Sequence, residues 1–247
     1  MARIHAKSAG LLVDEFDFSG VSNSIDLSFT EAPVDVTAFA DTDMTYIQGK
    51  PTFTFDVNGL WSTASPNYDG EMFTDLTATN RKVGIYPGGL SDGVFGYEGV
   101  TNISSSPRVS TTGDVIACNV TWQGASAPFR STILRYATDS RSANGTLYTL
   151  GTIAATNTII GVIRLLEIGG SGNNTLDVKI QSDTSGYSSP SDRLRFTQLN
   201  QGSGATFETQ TAAGPAGSDN IWRVVVTIAG GGSRSFKFIV GFGYYVT

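Results

Sequence analysis

The side chains able to do covalent chemistry are few. His5 is the sole histidine and Cys118 the sole cysteine in 247 residues. A Ser-His-Asp or Cys-His site would draw its base from an N-terminal stretch with no clean periodicity. One Cys and one His fall short of a zinc ligand set. GGSGN and GGSRS carry their glycines in the wrong places for a nucleophile elbow. In QGSGATFE, Gly202 and Gly204 begin a dinucleotide-like pattern, but Phe207 stands where the third glycine belongs. Asp41 and Asp43 form an Asp-x-Asp pair, without the glycine and distal glutamate of a calcium loop, and read as a solvated acidic loop. Asp14, Glu15 and Asp17 read as a charged arm. Trp61, Trp122, Trp222 and the Tyr244-Tyr245 pair could stack on sugars, yet each lies in or at the end of an alternating strand, where burial is the default. These residues predict no enzyme, no cofactor and no metal.

The elements that would position such side chains are strands. Charged residues make up 15% of the chain against roughly 25% in ordinary soluble domains, so much of the polar surface is Ser, Thr, Asn, Gln and Gly. The 29 glycines, without any G-X-Y period, fit many short strands joined by tight turns. A net charge of -6 opposes the basic face that nucleic-acid affinity requires. The single cysteine excludes a disulfide scaffold. AGLLV is too short for a signal-peptide core, and the longest apolar run, TIIGVIRLLEI from Thr158, is interrupted by Arg164 and Glu167 and falls short of a membrane span. A soluble chain with no membrane partner is expected.

Along the chain, residues 1–20 carry acids around one apolar cluster and read as an extended arm. Strand signals follow at Asp26 to Phe29 and Val34 to Phe39, then a turn-rich loop, ADTDMTYIQGK. PTFTFDVNGLW sets Phe53, Phe55 and Val57 against Thr52, Thr54 and Asp56, a period of two with one face buried. The one helix candidate is SPNYDGEMFTDLTATN, capped by Ser65 before Pro66 or by Asp69, with Met72, Phe73 and Leu76 as its apolar stripe. KVGIYPGG, VFGYEGVTNI, DVIACNVTWQG and FRSTILRYA predict four more strands. Thr138 to Thr146 is small and polar and predicts a linker, beyond which six further strands have the density of a β-sandwich. The last two, joined by Gly230-Gly231-Gly232, predict a hairpin.

The run VDVTAFADTDMTYIQGKPTFTFDVNGLWS resembles the signature of the tail tube subunits of long-tailed bacteriophages: strand, long loop, alternating strand, then a short helix. KVGIYPGG and GVFGYEGVTNISSSPRVSTTGDVIACNVTWQG continue the likeness. TLDVKIQSDTSGYSSPSDRLRFTQLN through IWRVVVTIAGGGSRSFKFIVGFG is similar to the C-terminal β-sandwich appended to many such proteins. The resemblance implies an all-β fold: an antiparallel tail-tube sandwich or barrel domain over residues 1–137, and a small β-sandwich over 138–247 on the tube exterior. It implies a virion protein, assembled in the host bacterial cytoplasm, that stacks in rings around passing DNA without binding it specifically. A hexamer is favoured over a trimer of double subunits, with the tape measure, terminator and tail tip proteins as further partners. The arm (residues 1–20) and the loop (residues 39–50) would reach neighbouring copies, making Asp14, Glu15, Phe16, Asp41, Asp43, Met44 and Tyr46 the candidate inter-subunit contacts. Low charge and absent chemistry also fit a capsid decoration protein or a baseplate component, and the tryptophans and second sandwich fit a carbohydrate-binding module or a tail-associated glycosidase.

Overall fold

The computed structural model describes residues 8–31, 33–40, 42–47, 49, 51–61, 68–76, 78–109, 116–184 and 186–245. His5, Asp41, Ser65 and Pro66 lie outside the described residues. In chain order come β1 (Gly10–Val13), β2 (Phe16–Asp17), β3 (Ser22–Glu31), β4 (Val34–Asp35), β5 (Tyr46–Ile47), β6 (Pro51–Leu60) and helix α1 (Tyr68–Asp75). Then follow β7 (Arg81–Tyr86), β8 (Phe95–Ser105), β9 (Arg108–Val109), β10 (Ala117–Gly124), β11 (Phe129–Asp139), β12 (Ala143–Asn144) and β13 (Tyr148–Thr149). The chain ends with β14 (Thr158–Gly170), β15 (Thr175–Asp183), β16 (Ser191–Arg195), β17 (Leu199–Asn200), β18 (Thr206–Ala213), β19 (Ile221–Ala229) and β20 (Arg234–Tyr245). The fold is all-β and antiparallel with one short helix, as the composition predicts.

Contacts divide the chain into two compact units. A hairpin unit comprises Gly20–Val83 and Gly99–Pro128; a sandwich unit comprises Met1–Ser19, Gly84–Glu98 and Phe129–Thr247. The boundary expected at 137/138 falls within β11, and Ser140 and Ser142 of the expected linker bond to Arg234 and Ile228.

In the hairpin unit, β3 pairs with β6 from Ser22↔Gly59 to Glu31↔Pro51, β6 pairs with β10, and β10 pairs in turn with β9 and with residues 101–105 of β8. Phe53, Phe55 and Val57 are buried while Thr52, Asp56 and Asn58 face solvent, the alternation read from the sequence. Cys118, Val120 and Trp122 continue the same buried face on β10. A Cβ on Gly99 or Gly124 would stand 2.3 or 2.4 Å from the Phe53 ring, so both positions must lack one. Helix α1 departs from expectation, because only Met72 is buried while Phe73 and Leu76 are exposed. A helix this short turns a single position fully inward. Asp69 sits within its first turn and pairs with Arg108 at 2.6 Å.

In the sandwich unit, one sheet runs β18-β14-β20-β11 and ends on residues 95–98 of β8; the other runs β12-β19-β15-β16. Leu134, Ile163 and Phe238 of the first sheet pack with Val178, Trp222 and Val224 of the second in one core. Leu12, Tyr86, Ile133 and Ile239 form another core cluster of this unit. In β14, consecutive residues 159–165 are all buried, Arg164 among them, which explains an apolar run without alternation.

Two expectations are corrected here. Residues 8–19 are no extended arm: Leu11, Leu12, Val13 and Phe18 are buried, and β1 pairs with β2 and β7. Four consecutive apolar positions stabilise more when covered than when solvated. The strands flanking Gly230–Gly232 are not a hairpin, since β19 pairs with β15 and β20 pairs with β11 and β14. Gly230 and Gly232, at φ of 113° and 107°, carry the chain from one sheet to the other.

A polar network closes one end of the second sheet. Arg193 donates to Asp219 at 2.6 Å and to Ser182 at 2.8 Å, and Ser182 donates to Asp219 at 2.5 Å. Burial raises the Asp219 pKa, but the hydrogen bonds from Ser182 and Arg193 outweigh it and leave it below the ordinary 3.8. A folded-state pKa below the unfolded one contributes stability that is present above the unfolded value and lost as pH falls through the folded one. The denaturant midpoint is therefore expected to drop as pH falls below about 4. In Asp219→Asn that drop should be shallower, and an unchanged slope would rule out the network as its source.

Candidate functional site

The candidate site is a surface at the far end of the β3–β6 hairpin. Val34↔Ile47 and Asp35↔Tyr46 pair β4 with β5 to make a second, smaller hairpin between the two long strands. It is braced by polar side chains. Asp35 accepts from the Thr37 amide at 2.9 Å and from its hydroxyl at 2.5 Å, and Thr37 Oγ1 accepts from the Thr45 amide at 2.9 Å. The hydrogen bonds from Thr37, side chain first, hold the Asp35 carboxyl below its ordinary pKa. This Asx-type turn ends the strand at Asp35, short of the Phe39 expected from the apolar alternation.

What this hairpin displays is apolar. Phe39 is fully exposed and Met44 is 75% exposed, while Phe29, Val34, Val36, Tyr46 and Ile47 are each about half exposed or nearly so. Tyr46 donates its hydroxyl to Met44 Sδ at 3.2 Å. Among the described residues β3 ends its sheet and pairs with β6 alone. Its ten residues include no buried one, so an exposed strand lies next to the apolar tip. Single exposed apolar residues are ordinary, but six gathered on one hairpin, with Phe29 of β3 as a seventh, mark a contact surface.

Of the candidate contact residues, Asp43, Met44 and Tyr46 share this hairpin and are exposed. Asp14, Glu15 and Phe16 belong to the sandwich unit instead. Asp14 is buried at φ 50°, in the turn between β1 and β2, and Glu15 and Phe16 are partly buried. A buried carboxylate offers little to a neighbouring subunit, so Asp14 is corrected from contact to core. Phe29 belongs to the surface and lies outside the segments expected to make contact, whereas Phe39 and Ile47 fall in the loop of residues 39–50 expected to reach neighbouring copies. Their signal was present as alternating apolar residues flanked by turn formers, a pattern that also describes a half-buried strand.

The remaining chemistry-bearing groups are structural in their surroundings. The Cys118 thiol is buried near Asp69, and burial with that carboxylate pushes its pKa up. A protonated buried thiol is a poor nucleophile. Trp122 and Trp222 are fully buried and cannot form a sugar platform, whereas Trp61 is 45% exposed. Among the described residues no group of three or more His, Cys, Asp or Glu is gathered to hold a metal ion, and no helix is long and apolar enough to cross a membrane.

Deep in the sandwich unit, Arg164 donates to Glu98 at 3.0 Å with both side chains wholly buried. Glu98 also accepts from the Tyr86 hydroxyl and, at 3.3 Å, from Ser131. Burial, then the Glu98 charge, raises the Tyr86 pKa well above its usual value.

No protein-family model and no curated protein matches the chain. Among solved structures, a protein from the virion of a native gene transfer agent particle is 15% identical, covering 48% of this chain and 92% of its own at a TM-score of 0.38. The Dit protein of phage SPP1, described as a paradigm of the hub adsorption apparatus in Gram-positive infecting phages, is 9% identical over 96% of this chain and 99% of its own, at 0.36. A protein of the phage p2 baseplate is 8% identical over 94% and 97%, at 0.32. At TM-scores below 0.5, these likenesses assign neither a role nor a partner.

Proposed function

We propose that this chain is a non-enzymatic virion structural protein that assembles with copies of itself into rings, stacked as the tail tube through which phage DNA passes. The observation that carries the reading is the braced β4–β5 hairpin with its exposed apolar side chains beside the exposed strand β3. An edge that endangers a monomer becomes an interface when a second chain covers it. A head-to-tail contact of this kind closes into a ring when its rotation permits. The tail-tube-like order of strand, loop, alternating strand and helix supports the same reading. The net charge of -6 favours a wall to which DNA does not adhere.

Negative-stain electron microscopy of the purified protein at rising concentration tests the proposal. Hollow tubes of uniform diameter are expected. Closed rings that never stack would move the chain to a hub or baseplate role, and particles that stay monomeric even with tail-initiating proteins present would overturn self-assembly.

A further inference from the structure

The sandwich unit holds a half-open cavity of about 410 Å³ where β8, β11 and β20 meet the segment after β13. Its floor is Phe242, which is buried and packs against Trp222 with ring centroids 4.4 Å apart and the planes tilted by 31°. Phe95 and Tyr244 stand at its rim, each roughly half exposed. Arg130 lies over the Phe95 ring at 4.5 Å. Thr132, flanked in register by Phe95 and Phe242, and Thr149 add hydroxyls to the lining.

We infer that this cavity is a binding site for a monosaccharide-sized acidic sugar, a polyhydroxylated ring bearing a carboxylate. Aromatic faces pack on the C–H face of a sugar ring. Packing over Phe95 holds the guanidinium at the rim, where its N–H donors are offered to a carboxylate, the planar acceptor that an arginine fork matches. Among the described residues no carboxylate forms an ion pair with Arg130. The hydroxyls of Thr132, Thr149 and Tyr244 complement ligand hydroxyls. An apolar side chain in the same space would desolvate the guanidinium and three hydroxyls without replacing their hydrogen bonds, which disfavours a protein knob as the occupant. The volume lies at the small end of ligand pockets, which suits one ring rather than an extended chain. The inference goes beyond the assembly reading and does not rest on it.

The test titrates the full chain with glucuronate, galacturonate and sialyllactose, and with glucose, galactose and lactose as neutral counterparts. Saturation-transfer NMR and tryptophan emission, to which Trp222 contributes from beneath the floor, report occupancy. Acidic ligands are expected to bind at least tenfold more tightly than neutral ones, a preference that Arg130→Gln abolishes and Arg195→Gln, on exposed β16, retains. Unchanged denaturant midpoints in both variants keep the comparison free of folding effects. Equal affinity for neutral sugars, retention of acidic-sugar binding in Arg130→Gln, or no binding at millimolar ligand would each overturn the site. An emission change that tracks protein concentration without sugar and disappears in Phe95→Ala would assign the cavity to a second copy, and would overturn it as well.

Discussion

Glu98→Ala is expected to destabilise the sandwich unit by about 3–5 kcal/mol, the scale seen when one partner of a buried ion pair is removed. Arg164 sits in the middle of β14, wholly buried, with Glu98 at 3.0 Å. The substitution removes the counter-charge closest to Arg164 in the pair, leaving the buried Asp14 as the other carboxylate whose charge it feels, and takes the acceptor from Tyr86 and Ser131 as well. The surroundings are shaped around these groups. A Cβ on Gly241 would stand 2.5 Å from a Glu98 oxygen, and one on Gly84 would stand 3.3 Å from Arg164. Coulombic attraction and desolvation nearly cancel for an intact pair, so replacing both charges should cost far less than removing one. Glu98→Gln with Arg164→Met is therefore expected to recover most of the loss, and Tyr86→Phe to cost only about 0.5–1.5 kcal/mol. Denaturant unfolding followed by tryptophan emission measures all of these. A near-native Glu98→Ala, or a double variant no better than the single one, would defeat this account.

That pair shows where sequence reading stops. Arg164 is conspicuous in TIIGVIRLLEI, and without its partner it reads only as an interruption. The partner lies 66 residues earlier, in a strand whose alternation hides a buried Glu among Phe95 and Tyr97. Pairing across that separation depends on which strands become neighbours, and periodicity is silent on that. Local patterns were legible: the β6 alternation, the strand at Cys118 to Trp122 and the doubly covered β14 follow from side-chain period and length alone. The supposed hairpin at Gly230 to Gly232 failed because three glycines permit either a tight turn or a crossing between sheets. What decides is the burial demand of Trp222, Val224 and Val226 against that of Phe236, Phe238 and Val240. The arm failed for a similar reason. Its acids dominate the composition of residues 14–17, while Leu11, Leu12 and Val13 determine where the segment goes.

The contact surface was half legible. Asp43, Met44 and Tyr46 come from the resemblance, which also sets Phe39 at the start of the contact loop, while the apolar alternation sets it at the end of a strand. Only the turn made by Asp35 and Thr37, a side-chain to backbone arrangement, ends the strand early and leaves Phe39 in solvent.

Phe39→Asp and Tyr46→Asp are each expected to abolish ring or tube formation while leaving the fold intact. Both side chains are largely exposed, so neither substitution removes core packing, and stability should stay within about 0.5 kcal/mol of the parent chain. In an assembly the same side chains would be covered. Each buried one contributes about 1.5–3 kcal/mol of apolar transfer, which a carboxylate forfeits before its own desolvation is counted. A loss of about 2 kcal/mol weakens one contact roughly thirtyfold, and every subunit of a ring repeats that contact, so closure suffers many times over. Phe73→Ser, at an equally exposed apolar position on α1, serves as the control and is expected to assemble normally. Sedimentation velocity with electron microscopy reads the outcome. If the hairpin variants assemble as the parent chain does, the β4–β5 surface is not the interface. If Phe73→Ser fails alongside them, assembly depends on general surface hydrophobicity and not on a defined contact.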